Sequence, residues 1–144
     1  MNIATAQTAL AFAAFADAVA ALAHVGCIVF GAAWYRFFGA GERMARMGER
    51  GDPRAAIVTA GIVVVLLAWT AVALSGAGAI PRLPWLREAL YAIAAVLLLR
   101  GVAGVAIAVS GAFPRRAFWW WSSGICLAMG ALHAMGAVAT KGGA

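Results

Sequence analysis

Residues 90–110 read "LYAIAAVLLLRGVAGVAIAVS", and Arg100 is the only charge among them. A helix of this length rises about 30 Å, the thickness of a bilayer's hydrocarbon core. No polar stripe runs along it, so it is not one side of a soluble bundle. The run predicts a membrane-spanning helix, and three others resemble it. Spans are predicted over 9–38, 55–79, 86–110 and 117–140. The short alternating segments of a membrane β-barrel are absent, and in lipid every backbone group must be satisfied within its own segment. The expected fold is therefore all-α, an integral-membrane up-down four-helix bundle forming a single transmembrane domain over 1–144. Its connectors are short, and Pro53, Pro81, Pro84 and Pro114 all fall in them, where proline costs no internal helical hydrogen bond.

Composition agrees. Hydrophobic residues make up 65% of the chain and charged residues 11%, against about 25% charged in soluble domains. The net charge of +6 does not point to nucleic acid, because the cations lie between apolar runs, where they anchor a protein to anionic headgroups. Arg36, Arg43, Arg46, Arg50, Arg54, Arg115 and Arg116 fall in the first and third connectors, while Arg82, Arg87 and Lys141 fall on the other side. This asymmetry predicts cytoplasmic first and third loops and periplasmic termini. No Lys or Arg precedes Arg36, so the N-terminal run is read as a retained span rather than a signal peptide.

Aromatic residues cluster at the expected cytoplasmic edge: Trp34, Tyr35, Phe37 and Phe38, then Phe113, Phe118, Trp119, Trp120 and Trp121. The three tryptophans are read as an interfacial belt. In segment 39–52, Glu42 and Arg46 form an i,i+4 pair while Met44 and Met47 share a face. "ERMARMGER" thus predicts an amphipathic helix lying on the inner membrane surface. Arg36, Arg43, Arg46 and Arg50 with Trp119, Trp120 and Trp121 make up the predicted membrane or partner interface.

Polar side chains inside the spans are the candidates for function. An intramembrane arginine costs about 2.5–3.5 kcal/mol on insertion scales, so Arg100 is expected to face the interior. There it is either tied structurally, for example by a cation–π contact with Trp69, or it holds an anionic headgroup, carboxylate or quinone oxygen. Counting about 1.5 Å per residue from the aromatic edge puts His24, Arg100 and Met129 all about 16 Å deep, with His133 deeper. Ser122, Cys126, Met129, His133 and Gly136 form one helical stripe; Asp17, His24, Gly31 and Tyr35 form another. Small residues on these faces, Gly130 among them, predict close approach of the first and last spans. Asp17 counts to the outer interface. Arg100, His24, Met129, His133, Trp69 and Tyr35 are the candidate ligand-binding set. No catalytic residue and no metal site is predicted: the spacing of Cys27, Cys126 and the histidines fits no standard pattern. No cofactor is required, although His24 and His133 are residue types that ligate haem.

"AHVGCIVFGAAWYRFFGAGERMARM" (23–47), "LLLRGVAG" (97–104) and "FWWWSSGICLAMGALHAMG" (118–136) resemble a group of small four-span bacterial inner-membrane proteins. The resemblance implies the same topology and a bacterial cytoplasmic membrane, and it transfers no activity. The Ala- and Arg-rich, Lys-poor composition agrees with a GC-rich bacterial genome.

Three functions compete. The leading one is a non-enzymatic membrane module that binds a lipid or quinone-like amphiphile, or a partner transmembrane helix, around Arg100 and His24. The second is a redox or lipid-modifying membrane enzyme. The third is a small-solute transporter or channel built as a homo-oligomer, since four spans enclose little volume. The bilayer is a partner in every case.

Overall fold

The computed structural model describes residues 2–111 and 116–140. Phe113, Pro114, Arg115 and Lys141, used above for the aromatic edge, the connectors and the charge asymmetry, lie outside the described residues. The described chain is all-α. Its helices are α1 (Ile3–Phe30), α2 (Ala32–Phe37), α3 (Glu42–Glu49), α4 (Pro53–Ala77), α5 (Leu86–Ser110) and α6 (Arg116–Ala139). Among them α1, α4, α5 and α6 are long and apolar enough to cross a membrane. The chain is a multi-pass membrane protein, and Phe12, Phe15, Val29, Val64 and Leu99 on these helices are exposed, as lipid-facing side chains are.

The helix boundaries have local causes. The Asn2 side-chain oxygen accepts the Ala4 amide proton at 3.2 Å, which caps α1 and starts it six residues before the expected 9. The first span also ends sooner than 38. Gly31 takes φ +66°, a left-handed conformation that suits glycine, and the helix stops at Phe30. The chain turns there, and Trp34 stacks on Phe30 with ring centroids 4.6 Å apart while covering the face of Gly26. At α4 the Asp52 carboxylate accepts the Arg54 amide proton at 3.0 Å, and Pro53 occupies the first helical position, where its missing N–H costs nothing.

The chain divides into two compact units, residues 1–16 with 69–144 and residues 17–68. In the first, four helical segments meet. Leu10 of α1 is 1% exposed and packs with Leu86 and Leu90 of α5, Ala137 of α6 and Val72 of α4. Its side chain occupies the space a Cβ would take at both Gly76 and Gly136. Further along, Ile93, Leu97 and Met129 form a second cluster, with Trp69 and Cys126 against it. α5 and α6 run antiparallel: Leu127 fills the space beside Gly101, Leu98 that beside Gly130, and Ser123 that beside Gly104. Gly130 therefore admits Leu98 of α5, correcting the expectation that it serves the first span. The residue that lets α1 approach α6 is Gly136, because the Leu10 side chain needs that volume.

The second unit is built around Tyr35. It is 3% exposed and packs with Cys27, Ala45 and Ala55, and Ala32, Trp34, Met44 and Met47 lie against this cluster. α3 therefore turns its apolar face inward: Ala45 is fully buried, and Met44 and Met47 are half-buried. This corrects the picture of a helix lying with its apolar face in the bilayer, since protein already covers that face. Tyr35 is likewise an internal residue rather than a member of the aromatic belt. The belt is carried instead by Phe30, Phe37 and Phe38, all exposed.

A candidate anion niche between α5 and α6

Polar side chains within the spans mostly satisfy themselves by turning back on their own helix. Thr59 donates to Ala55 O at 2.8 Å and Thr140 to Gly136 O at 2.8 Å. Both histidines do the same. His24 Nδ1 lies 2.7 Å from Ala20 O and His133 Nδ1 lies 2.9 Å from Met129 O. A carbonyl only accepts, so Nδ1 carries a proton in each ring. Tyr35 is held through the same device. The Thr59 hydroxyl proton goes to Ala55, so at 3.1 Å the Tyr35 hydroxyl donates to Thr59 Oγ1. Among the described residues no group of three or more His, Cys, Asp or Glu side chains is placed to hold a metal ion.

Arg100 differs. On α5, in the antiparallel register with α6, its Cα stands level with about residues 127–128. The guanidinium lies elsewhere. Nη2 is 3.4 Å from Ser122 Oγ, and the group sits 5.3 Å from the centroid of the Trp119 ring. That is about 8 Å further along α6, toward its first turn. The side chain thus runs toward the membrane edge, bringing the charge nearer the headgroups than the expected depth of about 16 Å. Its aromatic partner is Trp119, not Trp69, which packs in the Met129 cluster. Snorkelling lowers the cost of the charge, and the ring face adds about 0.5–2 kcal/mol.

Gly104, one turn after Arg100, makes this path available. A Cβ there would lie 2.6 Å from Arg100 Nη1 and overlap Ser123 Oγ. The same two groups, Arg100 Nη1 and Ser123 Oγ, are buried and find no hydrogen-bond partner among the described residues. Ser123 is fully buried. Two unused hydrogen-bonding groups, one permanently charged, therefore converge beside a glycine. Leaving each unmade costs about 1–3 kcal/mol, more for the charged one. With Ser122 Oγ, the set offers three donors to one small anion.

The other candidates have other partners. Met129 and Trp69 are packing residues of the core shared by α5 and α6. His133 is fully buried on the same helix as the niche, eleven residues from Ser122. His24 and Tyr35 belong to the second unit. Of the three tryptophans, Trp120 and Trp121 are 49% and 74% exposed and fit the belt, whereas Trp119 turns inward to Arg100. Asp17 is fully buried. Because α1 begins at Ile3, this carboxylate falls in the middle of the helix rather than at the outer interface. Ser123 was hidden in the sequence: in "WWWSSG" either serine could have faced Arg100.

Comparison with known proteins finds no family model, curated protein or solved structure that matches the chain.

Proposed function

We propose that this chain is a non-enzymatic binding module of a bacterial cytoplasmic membrane, with both termini periplasmic. It holds an amphiphile whose anionic head, a carboxylate or phosphate, sits between Arg100, Ser122 and Ser123. The observation that carries this reading is the convergence of Arg100 Nη1 and Ser123 Oγ, both buried and both lacking a hydrogen-bond partner among the described residues. Hydrocarbon offers these groups no partner, and an anionic oxygen admitted between them by a small side-chain shift would satisfy both. The position of the guanidinium, about 4–9 Å from the start of α6, suits a head group whose tail lies along the exposed apolar faces. His24 is not assigned to the site in this reading.

Native mass spectrometry of detergent-purified protein tests the proposal. A copurified anionic amphiphile is expected on the wild-type chain. Arg100→Ala and Ser123→Ala should each weaken its retention, by about tenfold or more for the charged group. Ser123→Ala separates the ligand reading from a purely structural one. Deleting an unused buried hydroxyl leaves stability unchanged or raises it, so a loss of ligand without a loss of melting temperature marks a binding group. Full retention by Arg100→Ala would defeat the proposal.

A further inference from the structure

α2, α3 and the turns around them, residues 31–52, connect two spanning helices, and their position in the chain puts them at one membrane surface. The acidic residues of this segment are largely spoken for. Arg36 of α2 donates to Glu42 through Nε at 3.1 Å and Nη2 at 2.9 Å, and Nη2 also lies 2.7 Å from Glu49. One guanidinium thus clamps both ends of α3. The clamp draws carboxylate charge away from the other side of the helix, where Arg43, Arg46, Met47, Arg50, Asp52 and Arg54 line a cleft of about 520 Å³. Arg46 keeps a long 3.5 Å contact with Glu42. Arg43, Arg50 and Arg54 have no ion pair among the described residues, and all three are exposed. Asp52, the only acid in the cleft, has Oδ1 engaged by the Arg54 amide.

We infer that this cleft is a second binding site, specific for closely spaced phosphates, and that its occupant is the headgroup of an anionic lipid carrying two phosphates. Four guanidiniums against one carboxylate leave an excess of positive charge that a single phosphate does not neutralise, and planar guanidiniums pair well with phosphate oxygens. The apolar face of α3 is buried against Tyr35 and Ala55, so the cleft recognises a head rather than acyl chains. Phosphates are also the anions most abundant at the depth where a connector between two spans lies. The inference does not rest on the Arg100 niche, which involves neither α3 nor any of these arginines.

The test uses the full chain in detergent, with retention of cardiolipin, phosphatidylglycerol and phosphatidylcholine measured by native mass spectrometry and soluble pyrophosphate as competitor. The wild type should retain cardiolipin at least tenfold over phosphatidylcholine, with phosphatidylglycerol between them. Replacing Arg43, Arg50 and Arg54 by glutamine should reduce cardiolipin affinity by about a hundredfold, since each charge near a membrane surface contributes about fivefold. The melting temperature should hold, because none of the three makes an ion pair among the described residues. Made in an Arg100→Ala background, the same triple substitution should give the same further loss of cardiolipin, which keeps a failure here distinct from a failure at the niche. Equal retention by the triple variant and the wild type overturns the inference. So does binding of pyrophosphate, dependent on these arginines, in a protein that shows no preference for cardiolipin; the cleft would then serve a free anion instead.

Discussion

Arg100 and Gly104 stand one helical turn apart, and the glycine decides where the arginine's charge goes. Helical side chains lean toward the N-terminus, yet Arg100 runs the other way along α5 to reach Ser122 and Trp119. It does so over the bare backbone of Gly104. Gly104→Ala should therefore act on the niche directly, since the added methyl would overlap Ser123 Oγ and crowd Nη1. Overpacking of this kind costs about 1–3 kcal/mol, and the displaced guanidinium should lose the bound amphiphile as completely as Arg100→Ala does. Thermal unfolding and ligand retention of this variant, measured together, check both expectations. An alanine variant as stable and as well loaded as the wild type would mean that the niche is not where the anion sits. The arginine and its glycine could be read from "RGVAG" as one helical face. The serine that completes the pair could not be, because the choice between Ser122 and Ser123 depends on how α6 rotates against α5.

At the scale of the element, α3 shows how a charged helix of eight residues is held. Its isolated stability is marginal at this length, so tertiary contacts must supply the rest. Its Ala45 packs against Tyr35 and Ala55 on one face, and Arg36 grips Glu42 and Glu49. The Arg36 guanidinium holds the Glu42 carboxyl below the usual carboxylate range, and the two glutamates keep the Arg36 proton more tightly bound than usual. Because the folded-state value of Glu42 is depressed, its ionised form stabilises the clamp above the unfolded value of about 4.3. That contribution is lost as pH falls through the folded-state value. The residues are exposed, so the effect is modest and weakens with salt. A carboxyl-carbon NMR titration should give Glu42 a midpoint below about 4.3, and Arg36→Gln should raise it toward that value, with Arg46 still holding it down in part. A wild-type midpoint at or above the ordinary value would remove the clamp. The alternation of charged and apolar residues in "ERMARMGER" made the helix legible. Which surface its apolar face meets was not legible, because a bilayer and a protein core reward the same pattern.

For the whole molecule, the arginine-rich connector between α1 and α4 sets the expected orientation. With four spans the two termini share one side, and the excess of arginine over 36–54 predicts that the connector faces the cytoplasm. Cysteine labelling checks this in a chain whose Cys27 and Cys126 are replaced by alanine. Ala40→Cys should react with a membrane-impermeant maleimide only after cell lysis, and Ala79→Cys should react in intact cells; both positions are exposed. The reverse pattern would invert the topology and move the phosphate cleft to the periplasmic face.

Helicity, four helices suited to a bilayer, and a cation set among apolar residues on one of them all follow from the amino-acid order. Hydrophobic run length and the need to satisfy every backbone group locally are enough for that, and both are properties of single segments. It took packing between segments to send Arg100 from its own level to Trp119 and Ser122, to bury Asp17 at mid-helix, and to turn the methionines of α3 inward. Those outcomes depend on where one helix begins, how two helices rotate about their axes, and which glycines let a neighbour's side chain in. Such relations exist only between segments, and no segment's own pattern encodes them.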